Sequence, residues 1–363
     1  MKILQINKYY QPDIGGVETV VKQYAENLGE GFDVTVLCVK KRFSLKTENE
    51  IVNGVKVIRC SSLGSFWSMP VSLSFFLVFL KNFKAFDILH FHEPFPLASL
   101  LSFFISRKNK IVVTWHSDII KQKSIKSIVE IFQKKLCEKA TLIFTTSPNL
   151  LEFSSILKKF RNKVYILPLS IPPNKNISKH DNEYILYLGR LAYYKGINVL
   201  LKAYEIANTK LELYIVGSGE KDITEDILEH CAKTSKKIRF INKFVTEEEK
   251  DQFFKNCSFF VLPSIAASEA FAIIQLEAMI HGKAVINTDL PTGVPFVSLD
   301  GRTGITVASN NQHELANALD KLSENIDHRQ ALGRNGHKRV LEEFSDDVII
   351  EKLRKKYLEV YNL

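Results

Sequence analysis

The sequence is poor in cysteine and has no C-x-x-C spacing. Cys38, Cys60, Cys137, Cys231 and Cys257 stand far apart, so neither a zinc site nor a disulfide framework is expected. No apolar run is long enough to span a bilayer: the most apolar stretches, residues 71–80 and 95–105, fall short of the roughly 20 residues a membrane helix needs. The first seven residues turn polar too soon for a secretory signal and read as a strand. No fixed-period repeat is visible. There is no RNP-like, zinc-finger or helix-turn-helix pattern, so no nucleic-acid partner is expected. These absences describe a soluble, reduced, cytoplasmic protein.

What is present is ordinary globular composition, 45% hydrophobic and 25% charged over 363 residues, enough for about two domains. The net charge of +9 is unevenly spread: residues 1–180 carry 26 Lys and Arg against 13 Asp and Glu, and residues 181–363 carry 23 against 27. A basic half joined to a mildly acidic half points to an anionic surface for the first. Short apolar runs at 2–7, 33–39, 55–59, 88–91, 111–115, 142–145 and 164–167 read as strands buried on both faces of a parallel sheet. Amphipathic helices such as 17–28 lie between them. The proline-rich stretch 168–181 reads as a linker. A second series follows, at 184–188, 211–216, 238–240, 259–262 and 284–287, and the chain closes in helices at 312–323, 329–344 and 347–361. Two doubly wound α/β domains facing across a cleft are expected: 1–170, a linker at 171–182, and 183–344, with the last helix (345–363) returning to the first domain.

In such sheets ligands bind beyond the carboxyl ends of the strands. Gly15 and Gly16 follow the first strand and open a helix, where backbone N–H groups can approach an anion; a tight turn needing positive φ is the plain alternative. Arg190 and Lys195, in Gly189-Arg190-Leu191-Ala192-Tyr193-Tyr194-Lys195-Gly196, follow the first strand of the second domain, where two cations can clamp a diphosphate. Ser268 reads as the N-cap of a helix from Phe271 to His281, with Gly282 ending it. That places Glu269 at the helix mouth and Glu277 about 12 Å along the helix at 1.5 Å per residue, too far for an adjacent acid/base pair.

Taken in order, Gly15-Gly16, the Gly189–Gly196 segment, Val216-Gly217-Ser218-Gly219 and the E-x7-E pair Glu269/Glu277 resemble glycosyltransferase family 4. The likeness spans nearly the whole chain. It implies a GT-B fold and a retaining, nucleotide-sugar-dependent hexosyltransferase without a cofactor or metal. On this resemblance Arg190 and Lys195 bind the donor diphosphate, and Glu277 holds the ribose. Glu269 contacts the transferred sugar, while the amides of Phe271, Ala272 and Ile273 meet sugar and phosphate. Gly15 and Gly16 close on the β-phosphate, Gly217 lines the donor site, and His116 faces the reacting sugar. Two departures stand out: Ala272 replaces the family's usual Gly, and Leu169-Ser170-Ile171-Pro172 replaces an Asn-Gly-Ile/Val-Asp motif. The stretch 114–123 is similar to bacterial O-antigen and capsule mannosyltransferases. This favours GDP-mannose, then a UDP-sugar, with a lipid-diphosphate-linked or glycan acceptor.

A non-hydrolysing nucleotide-sugar epimerase of the same fold is the rival reading, and a nucleic-acid-binding protein a weaker one. His90 and His92 end a strand on one face and could line the acceptor side, without a third ligand of suitable spacing for a metal. The helix 119–139 bears Ile125, Ile128, Val129, Phe132 and Leu136 as one apolar stripe. Lys121, Lys123, Lys126, Lys134, Lys135 and Lys139 surround it, and docking on the anionic inner face of the plasma membrane is expected. No two Asp residues lie two positions apart, so no D-x-D motif is there to hold a cation, and Arg190, Lys195 and a helix N-terminus must meet the leaving diphosphate's charge. Turnover is therefore expected to survive EDTA, and loss on chelation with rescue by Mg²⁺ or Mn²⁺ would refute this.

Overall fold

Continuous Val/Ile/Leu runs force strands to be covered on both faces, and two such sheets form. The computed structural model describes the chain apart from residues 14, 67–68, 107, 120–122 and 179, and gives backbone alone at 123–126. The chain divides into two units, Met1–Pro168 with Ile350–Leu363, and Leu169–Ile349.

In the first unit the strands are β1 (Lys2–Ile6), β2 (Asp33–Val39), β3 (Glu48–Val52), β4 (Val55–Cys60), the short hairpin β5 (Ser65–Phe66) and β6 (Met69–Pro70), β7 (Ile88–Glu93), β8 (Lys110–Trp115), β9 (Leu142–Thr145) and β10 (Val164–Ile166). Eight of them form one sheet in the order β10-β9-β8-β7-β1-β2-β4-β3. All pairs are parallel except the edge pair β3–β4. β3 escaped the sequence reading because it is an edge strand with exposed charged residues and no apolar run. The hairpin β5–β6 is too short for any period to register.

The second unit is a six-stranded parallel sheet in the order β13-β12-β11-β14-β15-β16, made of β11 (Tyr184–Leu188), β12 (Glu212–Val216), β13 (Ile238–Ile241), β14 (Phe259–Val261), β15 (Val285–Thr288) and β16 (Gly304–Val307). β16 was also unforeseen, since Gly304 and Thr306 dilute its apolar signal. Residues 171–182 are tied onto this unit: Ser178 donates to the Lys255 carbonyl and Asp181 pairs with Arg329 at 2.5 Å.

The helix expected over Phe271–His281 is shorter, Ile274–Ile280, and Ser268 does not cap it. Ala272 sits in the left-handed region at φ 63°, which no helix can pass through, so the chain turns before the helix begins. The apolar stripe of the helix Lys123–Lys139 is also divided. Val129 and Leu136 are buried, whereas Ile128 is 56% exposed. Of the lysines assigned to it, Lys139 donates to the Ser102 carbonyl at 2.6 Å and Lys134 pairs with Glu130 at 3.5 Å. Lys139 thus serves packing, against the expectation of a free surface charge. Lys121 and the side chains of Lys123, Ile125 and Lys126 lie outside the described residues.

The first unit buries an unusual set of titratable groups. Burial pushes the imidazoles of His90 and His116 down to about 3, helped at His90 by the nearby His116, and holds His92 well below its ordinary value. Burial raises Glu93 to about 7 even though Gln133, Ser99 and the Phe95 N–H donate to it. Below the ordinary imidazole value of 6.5, the unfolded histidines take up protons that the native ones do not, so stability falls with falling pH. Glu93 acts oppositely between 4.5 and about 7, where the native carboxyl holds a proton the unfolded one has lost. Thermal unfolding followed between pH 7.5 and 5 should show a falling midpoint, and a steeper fall in Glu93→Gln. An equal or shallower fall in that variant would contradict the assignment.

Candidate functional site

In the second unit the loops after β11, β12 and β14 converge at the carboxyl edge of the sheet. Their close approach requires glycine. A Cβ on Gly217, which sits at φ 147°, would lie 1.9 Å from the Gly189 carbonyl oxygen. One on Gly196, at φ 68°, would lie 1.9 Å from the Pro263 carbonyl oxygen. The backbone of Leu191 bridges to Gly219, with its N–H on the Ser218 carbonyl at 3.0 Å. Gly217 therefore has a packing reason to be glycine.

Lys195 ends the loop after β11 in a short helical turn, Tyr193–Lys195. Its ammonium lies 2.5 Å from the carboxylate of Glu269, and both side chains are about nine-tenths buried. Ser264 donates to the same carboxylate at 3.0 Å, and Thr292 donates to the Glu269 carbonyl at 2.6 Å. Burial disfavours the Lys195 charge, but Glu269 and Tyr194 outweigh it, and the pKa stands above the usual lysine value. The family resemblance assigns Lys195 and Glu269 separate tasks; the fold joins them.

Arg190 is exposed at the end of β11, and among the described residues its guanidinium makes no ion pair. Between Glu269 and the helix Ile274–Ile280, the N–H groups of Phe271, Ala272 and Ile273 donate to no protein acceptor among the described residues. The left-handed Ala272 turns the chain so that this run stays outside the helix. A non-glycine residue pays about 1–2 kcal/mol for that conformation. The physical meaning of the Gly-to-Ala departure is thus backbone strain at Ala272 as well as the added methyl.

Glu277, one turn into the helix, is a quarter exposed and lies 2.7 Å from the ammonium of Lys250. Lys250 is shared with Glu247, also at 2.7 Å. Burial raises the Glu277 pKa against the pull of Lys250. Lys250, Ser264 and Thr292 were not foreseen, since nothing in the sequence marks a lysine in an acidic helix as the partner of a residue 27 positions away.

In the first unit Gly15 precedes the helix Gly16–Asn27 in extended conformation, φ −174°, and neither glycine has positive φ. The tight-turn alternative is thereby excluded. A Cβ on Gly15 would meet the Glu18 carboxylate at 2.1 Å, the far end of a flexible side chain that can move aside. Ile14 lies outside the described residues. His116 follows β8, and its Nε2 is 3.0 Å from Nδ1 of His92. His90 and His92 do not line a surface, as expected of them; they are 0% and 1% exposed. The three imidazoles come together, but no metal-holding group occurs among the described residues.

Comparison with known proteins settles the class. A family model described as "Glycosyltransferase Family 4" matches residues 14–175, and one described as "Glycosyl transferases group 1" matches residues 172–339. The chain belongs to glycosyltransferase family 4. It is 28% identical over 371 residues to O-antigen chain mannosyltransferase C of Escherichia coli, covering 97% of this chain and 96% of that protein. It is 27% identical over 359 residues to D-rhamnosyltransferase WbpZ of Pseudomonas aeruginosa, covering 95% and 92%. Among solved structures, HepE of Anabaena in complex with UDP-glucose matches with a TM-score of 0.77 at 15% identity, covering 99% of this chain and all of that one. That likeness shows the fold, GT-B, with its two Rossmann-like domains. The glycosyltransferase is a hexosyltransferase, which decides against the epimerase reading.

Proposed function

We propose that this glycosyltransferase moves a hexose, with retention, from a nucleotide-sugar to a lipid-linked or polysaccharide acceptor in bacterial surface-glycan synthesis, with GDP-mannose as its favoured donor. The observation that carries the donor site is the group at the carboxyl edge of the second sheet. The buried Lys195–Glu269 pair, an Arg190 without an ion pair and N–H groups of residues 271–273 without a protein acceptor among the described residues lie on the loops that follow the neighbouring strands β11 and β14. Arg190 and Lys195 hold the diphosphate, and with the free N–H groups they stabilise the charge that builds on it as the anomeric bond breaks. Glu269 accepts hydrogen bonds from the transferred sugar while anchoring Lys195. Glu277 accepts from the ribose hydroxyls and exchanges its bond to Lys250 for them. Gly217, Gly15 and Gly16 leave room for the phosphates, and His116 meets the sugar. The leaving phosphate itself takes the acceptor's proton in a front-side attack. The relatives named for mannose and rhamnose transfer support the mannose assignment; the UDP-glucose in HepE makes UDP-hexoses the competing donors.

Glu277→Ala should nearly abolish donor turnover without unfolding the chain, because Lys250 keeps Glu247 as partner. Each charge-assisted bond lost is worth roughly 1.5–3 kcal/mol, and more where it acts only in the transition state. Lys195→Ala should lose both activity and stability, by about 3–5 kcal/mol, since it leaves a buried carboxylate uncompensated. Radiolabelled GDP-mannose, UDP-glucose and UDP-N-acetylglucosamine, followed by lipid extraction, read out donor and acceptor together. Wild-type kinetics in Glu277→Ala would overturn the site, and label from UDP-sugars alone would overturn the donor.

We further propose that the first unit docks on an anionic leaflet. No helix among the described residues is long and apolar enough to cross a membrane. Exposed apolar side chains instead cluster beyond the carboxyl ends of β2 and β4. Phe43, Leu45, Leu63, Phe66, Leu73 and Leu77 are each at least 60% exposed. Backbone bonds from Ser44 to Ser62 and from Leu63 to Val71 hold these segments together. Lys41, Arg42, Lys46 and Lys81 accompany them, and each basic residue near an anionic surface is worth about 1 kcal/mol. Co-sedimentation should show binding to anionic vesicles, weakened by salt and by Leu73→Ser with Leu77→Ser. Equal binding to anionic and neutral vesicles, or none to either, would refute it.

A further inference from the structure

One face of the first sheet carries a chain of imidazoles. Parallel register pairs His92 with Thr114, and side-chain alternation puts His90, His92, Thr114 and His116 on the same face. His90 is saturated: its Nδ1 is 2.5 Å from the Tyr357 hydroxyl and its Nε2 is 2.7 Å from the Thr114 hydroxyl. His92 and His116 stack with ring centroids 5.3 Å apart and are joined through Nδ1 of His92 and Nε2 of His116. The remaining nitrogen of His92, Nε2, is sealed in the interior with no partner among the described residues. The remaining nitrogen of His116, Nδ1, makes no hydrogen bond among the described residues, and the residue keeps 6% exposure.

Two neutral imidazoles joined by one hydrogen bond have two possible proton arrangements. If His92 carries its proton on Nε2, that N–H is a buried donor with no acceptor, the rarer fault in protein interiors. If His92 carries it on Nδ1, it donates to Nε2 of His116. His116 must then bear its own proton on Nδ1. We propose that His92 is a positioning residue that fixes this second arrangement, so that His116 presents Nδ1–H as a hydrogen-bond donor and has no free basic nitrogen. This rests on the reading above that His116 meets the transferred sugar. The group it recognises there is an oxygen acceptor, a sugar hydroxyl. The arrangement also excludes His116 as the base that deprotonates the acceptor, since its only bare nitrogen is occupied by the His92 N–H. His90 cannot substitute for His92, because both of its nitrogens are engaged.

Long-range ¹⁵N–¹H correlation of histidine-labelled full-length enzyme at pH 7.5 reports each tautomer directly, with signals assigned by single substitution. His92 and His116 should both show a bare Nε2. In His92→Phe, His116 should shift toward the Nε2–H form and kcat should fall about tenfold with little change in donor KM. His92→Asn, whose amide can donate from the position of Nδ1, should restore most of the rate and the wild-type tautomer. An Nε2–H on His116 in the wild-type enzyme overturns the proposal, and so does an unchanged kcat in His92→Phe when His116→Phe is inactive. Should His116→Phe itself keep wild-type kcat while the tautomers are as stated, it is the sugar-contact reading of His116 that fails, and the proton arrangement stands.

Discussion

The buried pair between Lys195 and Glu269 organises the second unit. At 2.5 Å and nearly out of solvent, it ties the loop after β11 to the loop after β14, and its desolvation is offset further by the Ser264 hydroxyl on the carboxylate and the Tyr194 ring 5.4 Å from the ammonium. The neighbouring constraints serve the same convergence. Gly196 lets the lysine's loop lie against Pro263, and Gly217 lets the loop after β12 lie against Gly189. The hydroxyl of Thr292 holds the Glu269 carbonyl. Lys195 is thereby fixed before any donor arrives, and a cation fixed in advance stabilises developing charge without reorganising.

The first unit uses burial differently. Three neutral imidazoles and Glu93 are enclosed where charge would be costly, and the protein keeps them by hydrogen bonds to Tyr357, Thr114, Gln133 and Ser99. The pH response of stability and the proton arrangement at His116 have this one cause. Tyr357 comes from the final helix, so the carboxyl terminus of the chain takes part in setting the polar interior of the amino-terminal sheet.

The strands were largely legible because both sheets are parallel and interior, and such strands are written as unbroken apolar runs. The ones missed were those exempt from that rule: the antiparallel edge strand Glu48–Val52, the short hairpin at Ser65–Pro70 and the polar Gly304–Val307. The site residues were legible as strand-end glycines, cations and carboxylates in a familiar order. Their partners were not. Lys250 sits in a helix of glutamates, and His92 looked like a lining residue until the register of β7 and β8 placed it beneath His116.

By itself, the sequence determined two α/β units, the strand-end positions of Arg190, Lys195, Glu269 and Glu277, and the absence of a D-x-D motif, because each of these is a matter of local pattern and spacing. Tertiary structure alone decided that Lys195 pairs with Glu269, that the helix carrying Glu277 starts only after a left-handed Ala272, and that the apolar stripe of Lys123–Lys139 is split between core and surface. The physical reason is common to all three. Each depends on which backbone or side chain from a distant segment fills the space around a residue, and that neighbourhood is set by strand order and loop contact rather than by adjacent letters of the chain.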